Sequence, residues 1–309
     1  MLALLSLPMP ALQAQQGPLA PALVRSTVNS IADTIAREYF DLPLAERMAA
    51  ALRASAAAGR YPQTTPRELA NALTGDLLQM SNDKHLAVGL VRGASSAAAP
   101  AVPREEQVRR SNGGVQRAEI LAGNVGYLNL TSFWRPNEAE PAIHAAMDTL
   151  ARADALIIDM RNNTGGSPDT VAILLGYFFP PGLPLFSVEP RYGEAIRYAT
   201  SVDRRAADAS RPLYVLTAER TFSAGEGLAF LLQQRKRAEI VGGSTAGAAN
   251  PGRPYPVNET FEVVVPNGRV RSAVDGTNWE GRGVVPDVTV PEGTALEEAH
   301  RRALRRLGR

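Results

Sequence analysis

A chain of 309 residues, 45% of them hydrophobic, has enough apolar mass for one large domain and a small one, each with its own core. The formal net charge is only +2, and the arginine surplus gathers in the tail HRRALRRLGR, where it suits a solvated helix end and not a nucleic-acid surface. The chain has no cysteine, which excludes thiol nucleophiles, disulfides and cysteine-ligated zinc.

At the start, MLALLSLPMPALQAQQ runs from an apolar stretch into small residues at Ala11 and Ala14 and then turns polar. This is the pattern of an export signal over residues 1–16, although the basic n-region is missing, and it implies a periplasmic or secreted protein. The run is too short to span a bilayer. Residues 17–92 read as a small domain of three helices. Leu23, Val28, Ile31, Ile35 and Phe40 recur at helical spacing, a second helix stops at Gly59, and a third opens on a Thr65 cap with Glu68 three positions on. DKHLAVGLV then turns strand-like. Residues 93–117, rich in Ala, Pro, Ser and charge, read as a linker.

From 118 to 309 strands and helices alternate, which predicts an α/β domain. ALIIDMR and LYVLT are apolar enough to be strands buried on both faces. LPLFSV and AIRYAT read as a strand pair, SAGEGLAFLLQQRKR as a helix, and FEVVVPNGRVRSAV as a hairpin turning at Asn267-Gly268.

Three segments carry candidate chemistry. In LYVLTAERTFSAGEGLAFLL a strand ends and Ser223 falls where the next helix begins, beside free backbone N–H groups. The same Ser-Ala-Gly-Glu string is also a plain capping box. In ALIIDMRNNTGGSPDT the Gly165-Gly166 pair can bring backbone N–H groups close to a ligand, or simply form a turn. Asp159 and Arg161 beside it read as a structural ion pair. In SNDKHLAVG, His85 stands at a helix-to-strand junction and is the best general base for a serine; His144 and His300 read as surface residues.

Taken in order, IIDMRNNTGG, YVLTAERTFSAGEGLAFLL, AEIVGGSTAGAANPGRPY and GTNWEGRGVVPDVTV resemble the C-terminal-processing, or tail-specific, serine peptidases. The close spacing and the NWEGRGVVPD ending are similar to the branch containing interphotoreceptor retinoid-binding protein repeats and the tricorn core protease. The resemblance implies a ClpP/crotonase-like β-β-α spiral domain with a small N-terminal three-helix domain and no PDZ insert. By the same resemblance Ser223 matches the nucleophile, His85 the base and Glu280 the acidic residue that orients it. The oxyanion hole matches Ala224 with a donor from Gly165 or Gly166.

Two departures from the family pattern are visible. Ala248 stands where many relatives carry the lysine of a Ser–Lys dyad, so the histidine route is needed. Lys84 stands where the tricorn-like branch has a second serine, which leaves Glu280 to act directly or Asp83 to replace the relay.

The implied substrate is a peptide or unfolded protein. No metal, nucleotide or other cofactor is implied, because His-Glu-x-x-His and Gly-x-x-x-x-Gly-Lys are both missing from the sequence. A neutral His85 as base predicts activity rising through the ordinary imidazole range, near ~6.5. Two other readings stay open: an apolar-ligand carrier with Leu174, Leu175, Phe178 and Phe179 lining a pocket, and an inactive scaffold in which Ser223 is only a cap.

Overall fold

The computed structural model describes residues 17–62, 64–91, 102–200 and 211–309. The expected export signal at 1–16 and the first part of the expected linker, 93–101, lie outside the described residues. Helices α1 (Pro21–Glu38), α2 (Leu42–Ala57) and α3 (Pro66–Ser81) lead into strand β1 (Ala87–Leu90). Next come α4 (Arg104–Arg110), β2 (Val115–Leu121), β3 (Val125–Leu130), α5 (Pro136–Thr149), β4 (Ala155–Asp159) and α6 (Pro168–Leu175). They are followed by β5 (Pro184–Pro190), β6 (Ile196–Ala199), β7 (Leu213–Thr217), α7 (Ala224–Gln234) and β8 (Glu239–Gly242). The last elements are β9 (Gly252–Pro256), β10 (Phe261–Pro266), β11 (Gly268–Ser272), β12 (Val288–Thr289) and α8 (Ala295–Arg306). Helix α4 and the start of β2 occupy part of the stretch read as linker. Among the described residues no helix is long and apolar enough to cross a membrane.

Two compact units emerge. Among the described residues, one takes 17–91 with Gly252–Asn267, and the other takes Val102–Pro251 with Gly268–Arg309. In the first, α1 buries Val24, Val28, Ile31, Ala32 and Ile35, the stripe its apolar spacing dictates. Prolines in the first turns start all three helices; the Asp41 side chain caps α2 by accepting from Leu44 N–H, and Thr65 with Glu68 forms the capping box of α3. Strands β1, β10 and β9 make an antiparallel sheet in that order. Alternate residues Phe261, Val263 and Val265 of β10 enter the core shared with the helices, as period-2 geometry requires.

The expected hairpin at Asn267-Gly268 does not form. Strand β10 pairs with β1 and β9, whereas β11 pairs with β5 in another sheet. Neither Asn267 nor Gly268 has the positive φ that a two-residue hairpin turn demands. Gly268 serves close packing instead: a Cβ there would lie 2.8 Å from Val188 Cγ1 of β5.

In the second unit a six-stranded sheet runs β12-β8-β7-β4-β3-β2, parallel except for the β2/β3 pair. Strands β5, β6 and β11 form a separate antiparallel sheet, with the expected β5/β6 pair in place. Helices α5, α6 and α7 cover one face of the large sheet over Leu156, Ile158, Val215 and Ile240. Helix α8 covers the other, with Ala295, Ala299 and Ala303 against Ile157, Leu216 and Val241. Strand β4 therefore feeds both cores with alternate side chains, which is why its sequence is apolar throughout.

Candidate active site

Strand β7 ends at Thr217, and the loop 218–222 is fixed before the helix begins. Thr221 is buried; its hydroxyl donates to Met160 O at 2.9 Å and accepts from Ala218 N–H at 3.0 Å. Phe222 N–H donates to Asn163 O at 2.9 Å. The chain then turns sharply at Ser223, whose φ of 53° and ψ of −120° differ from the extended conformation of an ordinary helix cap. A side chain in such a region costs about 1–3 kcal/mol and persists only where its surroundings over-determine it. Glu226, fully buried, supplies much of that determination: its carboxylate accepts from Ser223 N–H at 2.8 Å, Ala248 N–H at 2.9 Å, Gly247 N–H at 2.5 Å and the Thr245 hydroxyl at 2.6 Å. Burial pushes the Glu226 carboxyl above its ordinary range, against the pull of these four donors.

The second element is the turn after β4. Gly165 and Gly166 have φ of 89° and 134°, which favour glycine. Phe133 N–H donates to Gly165 O at 2.8 Å and Ser167 N–H to Phe133 O at 2.7 Å, so the turn runs as a parallel bridge beside Phe133. There is no room for side chains: a Cβ on Gly166 would lie 2.0 Å from Phe133 O, and one on Gly165 would lie 2.7 Å from Ser223 Cβ and 3.1 Å from Ala224 N. Gly165 N–H donates to Asn163 Oδ1 at 2.8 Å. Among the described residues Gly166 N–H and Ala224 N–H have no acceptor. Ala224 opens α7, where the positive end of the helix lies. Four of the residues singled out in the sequence, Ser223, Ala224, Gly165 and Gly166, are thus brought together.

Beside them lies a cavity of about 70 Å³, lined by Gly166, Ser223 and Ala224 together with apolar Val171, Phe186, Val188, Val270 and Trp279. A groove of about 710 Å³, with Phe133, Trp134 and Arg135 in its lining, shares Gly166 with it. The apolar residues considered for a ligand pocket lie elsewhere. Leu174, Leu175 and Phe178 are core side chains, and Phe179 packs against that core under the Arg235 guanidinium. The cavity beside Ser223 is itself far smaller than the ~300 Å³ at which small-molecule sites begin.

Glu280 lies in the same unit as Ser223. Its Oε2 accepts from Ala249 N–H at 2.6 Å and Asn250 N–H at 3.0 Å, so the carboxylate fastens the 247–250 loop. The neighbouring Trp279 donates its indole N–H to Ala248 O at 2.9 Å. Ala248, at the place of the missing lysine, is wholly buried.

His85 belongs to the other unit. Helix α3 stops at Asn82 in the left-handed region, and buried Asp83 clamps the turn that follows. Asp83 accepts from the Tyr39 hydroxyl at 3.1 Å and from His85 backbone N–H at 3.0 Å. Burial lowers the imidazole pKa of His85 to about 4. The ion pair expected at the end of β4 is present, with Arg161 donating to Asp159 at 2.6 and 2.9 Å. His144, expected at the surface, is instead only 16% exposed, between Tyr177 Oη at 2.5 Å and Glu140 at 2.9 Å. A helix facing α6 and the segment after it buries a polar residue when a phenol is there to meet it.

Asn163 was not singled out in the sequence, and Glu226 entered only as the far end of a capping box. The available signal was their position, two residues before a double glycine and three after the serine.

The model of peptidase family S41 matches residues 124–290, more than half of the chain. The chloroplastic carboxyl-terminal-processing peptidase 2 of Arabidopsis thaliana is 29% identical over 177 residues, 56% of this chain and 33% of its own. The chain spans about a third of the length of the curated relatives it matches. Among solved structures, the photosystem II D1 C-terminal processing protease superposes with a TM-score of 0.53 at 18% identity, over 90% of this chain and 96% of that one. The tricorn protease does so with 0.58 at 12% identity, over 91% of this chain and 35% of that one. At such identities the likeness is one of fold, and it is the α/β fold expected from the sequence. Family match, fold and the ordered motifs around Gly165 and Ser223 agree: the chain belongs to peptidase family S41.

Proposed function

We propose that this chain is a serine-type peptidase that cuts peptide bonds near the C-termini of peptides or unfolded proteins through an acyl-enzyme on Ser223. The observation that carries the reading is the strained Ser223 at the start of α7, with the unengaged Gly166 and Ala224 N–H groups and an apolar cavity beside it. Non-glycine strain of this kind concentrates where a nucleophile must project from a strand-to-helix turn.

In this reading the substrate lies extended along the groove that contains Phe133 and Gly166, adding a strand beside the turn. A small apolar side chain enters the 70 Å³ cavity. His85 takes the proton from Ser223 Oγ as that oxygen bonds to the scissile carbonyl carbon. The negative charge that develops on the carbonyl oxygen is held by Gly166 N–H and Ala224 N–H. His85 then gives its proton to the departing amine, the C–N bond breaks, and water releases the acyl group by the reverse proton path. Gly165 contributes geometry and not a donor, because its N–H is already held by Asn163. Glu280 is the acidic residue that orients the base, with its carboxylate steadied by the Ala249 and Asn250 amides. The pattern in residues 1–16 supports export to the periplasm or beyond.

The test is labelling by a fluorophosphonate probe. The wild-type chain should be labelled and Ser223→Ala should not, and peptide cleavage should vanish with the label. No labelling of the wild type, or equal labelling of the variant, would overturn the reading.

A further inference from the structure

Asn163 is fully buried, and both its backbone groups and both ends of its side-chain amide are engaged. Its backbone N–H donates to Met160 O at 2.9 Å, and its carbonyl accepts from Phe222 N–H at 2.9 Å. Its side-chain Nδ2 donates to Leu130 O at 3.1 Å, and Oδ1 accepts from Gly165 N–H at 2.8 Å. One residue thus ties the end of β3, the end of β4, the glycine turn and the loop that delivers Ser223. The first turn of α7 rests on the same side chain: a Cβ on Gly225 would lie 2.6 Å from Asn163 Oδ1.

The two N–H groups proposed to hold the oxyanion belong to two segments that Asn163 fastens. Gly166 follows directly from Gly165, whose N–H the Asn163 side chain holds. Ala224 lies between Phe222, whose N–H the Asn163 carbonyl holds, and Gly225, which abuts the Asn163 amide. We infer that Asn163 is the positioning residue that sets the spacing and orientation of the Gly166 and Ala224 N–H donors, an inference that rests on the peptidase reading. An amide is required for this work. One end must donate to a carbonyl and the other must accept from an N–H, and a carboxylate, a hydrocarbon or a hydroxyl cannot do both at that span. The contribution belongs to the transition state. Donors displaced by a fraction of an ångström still admit the flat ground-state carbonyl but miss the oxygen of the tetrahedral intermediate.

The experiment compares Asn163→Asp with wild type at neutral pH. Three readings are taken: kcat and KM on a peptide substrate, and affinity for a peptide boronate that forms a tetrahedral adduct with the serine. We expect kcat to fall by about 10²–10³ with KM within about twofold, the size of losing one oxyanion donor. Boronate affinity should fall in parallel, while inhibition by the non-reactive peptide acid of the same sequence stays unchanged. Gly225→Ala provides a second route, because it presses on Asn163 Oδ1 without removing any hydrogen-bonding group. It should reproduce the kcat-selective loss even if Asn163→Asp does not fold. An active wild type with both variants matching its kcat and boronate affinity would overturn the inference and leave the peptidase reading intact. So would a loss carried in KM and shared by the peptide acid. A wild type that takes no fluorophosphonate label would remove the reading itself, and this inference with it.

Discussion

At Gly165 the turn after β4 packs directly against the loop that carries Ser223, the proposed nucleophile, so Gly165→Ala should damage both stability and catalysis, by an amount the geometry sets. Two costs add. An alanine at φ of 89° takes on the left-handed penalty of about 1–2 kcal/mol. The new Cβ also meets Ser223 Cβ at 2.7 Å, Phe222 O at 3.0 Å and Ala224 N at 3.1 Å. Restoring an ordinary 3.4 Å separation from Ser223 requires a relative shift of about 0.7 Å, and overpacking of that order costs a further ~1–3 kcal/mol. Gly182→Ala separates the two costs, because Gly182 has φ of 74° and open space around the Cβ position. Denaturant unfolding should therefore show a loss of about 1–2 kcal/mol for Gly182→Ala and about 2–5 kcal/mol for Gly165→Ala. Displacing Ser223, the proposed nucleophile, by most of an ångström should also cost kcat roughly 10²-fold in the second variant and leave it unchanged in the first. Equal stability losses with kcat within twofold of wild type in both would refute the close approach.

The pKa of His85 moves the expected acid limb of activity. With the imidazole held down to about 4 by burial, His85, the proposed base, stays neutral well below the ordinary ~6.5. The acid limb of kcat/KM should therefore fall near pH 4–5, and a limb at ~6.5 would contradict the burial. The same shift acts on folding. A depressed pKa means that the contribution is complete above ~6.5 and is lost as pH falls through the folded value, about 1.4 kcal/mol per pH unit over that window. His85→Leu should flatten this slope in pH-dependent unfolding. Asp159→Ala should destabilise by about 1–3 kcal/mol, because it leaves the buried Tyr127 hydroxyl and the half-buried Arg161 guanidinium without their carboxylate, yet leave kcat within a few-fold. A large kcat loss there would show that the pair is more than structural. In peptide libraries the 70 Å³ cavity should favour alanine or valine over phenylalanine on the acyl side of the cut, and Val171→Ala should relax that preference; indifference of both proteins to this position would rule out the cavity as the side-chain site.

Much of the fold was legible because burial writes itself into short strings. Strands β4 and β7 read as apolar runs since each serves two cores, and α1 read as a helix because its stripe faces one. The β10–β11 junction misled for a physical reason. Asn-Gly is a local turn signal, but the glycine answers to Val188, a contact eighty residues away in sequence that no local pattern contains. His144 misled in the same way, since the phenol that buries it comes from the segment after α6. At the candidate site, residue types marked Ser223 and the glycine pair, while Asn163 looked like any turn asparagine. Its distinction lies in which four groups it reaches, and two of those, Leu130 O and Phe222 N–H, belong to distant parts of the chain.

The string Ser-Ala-Gly-Glu poses a choice between a cap and a nucleophile, and the backbone geometry at Ser223 supports the proposed nucleophile over a plain cap. Glu226 does the capping, by taking Ser223 N–H, and in doing so it holds the serine in a conformation an ordinary cap does not adopt. Glu226→Gln tests how far this depends on charge. The carboxylate offers Oε2 to Ser223 and Ala248 and Oε1 to Thr245 and Gly247, so all four partners are donors. A glutamine must turn its NH₂ toward one pair. Facing Ser223 and Ala248 strands two backbone N–H groups; facing Thr245 and Gly247 strands one, because the Thr245 hydroxyl can rotate. The second orientation is cheaper and keeps Ser223 N–H satisfied, so Glu226→Gln should lose about 1–3 kcal/mol of stability and retain most of its kcat. Glu226→Ala releases Ser223 as well and should lose both. A glutamine variant as stable as wild type would mean that burial keeps Glu226 protonated in the native protein, and the four-donor account of the strained serine would fail with it.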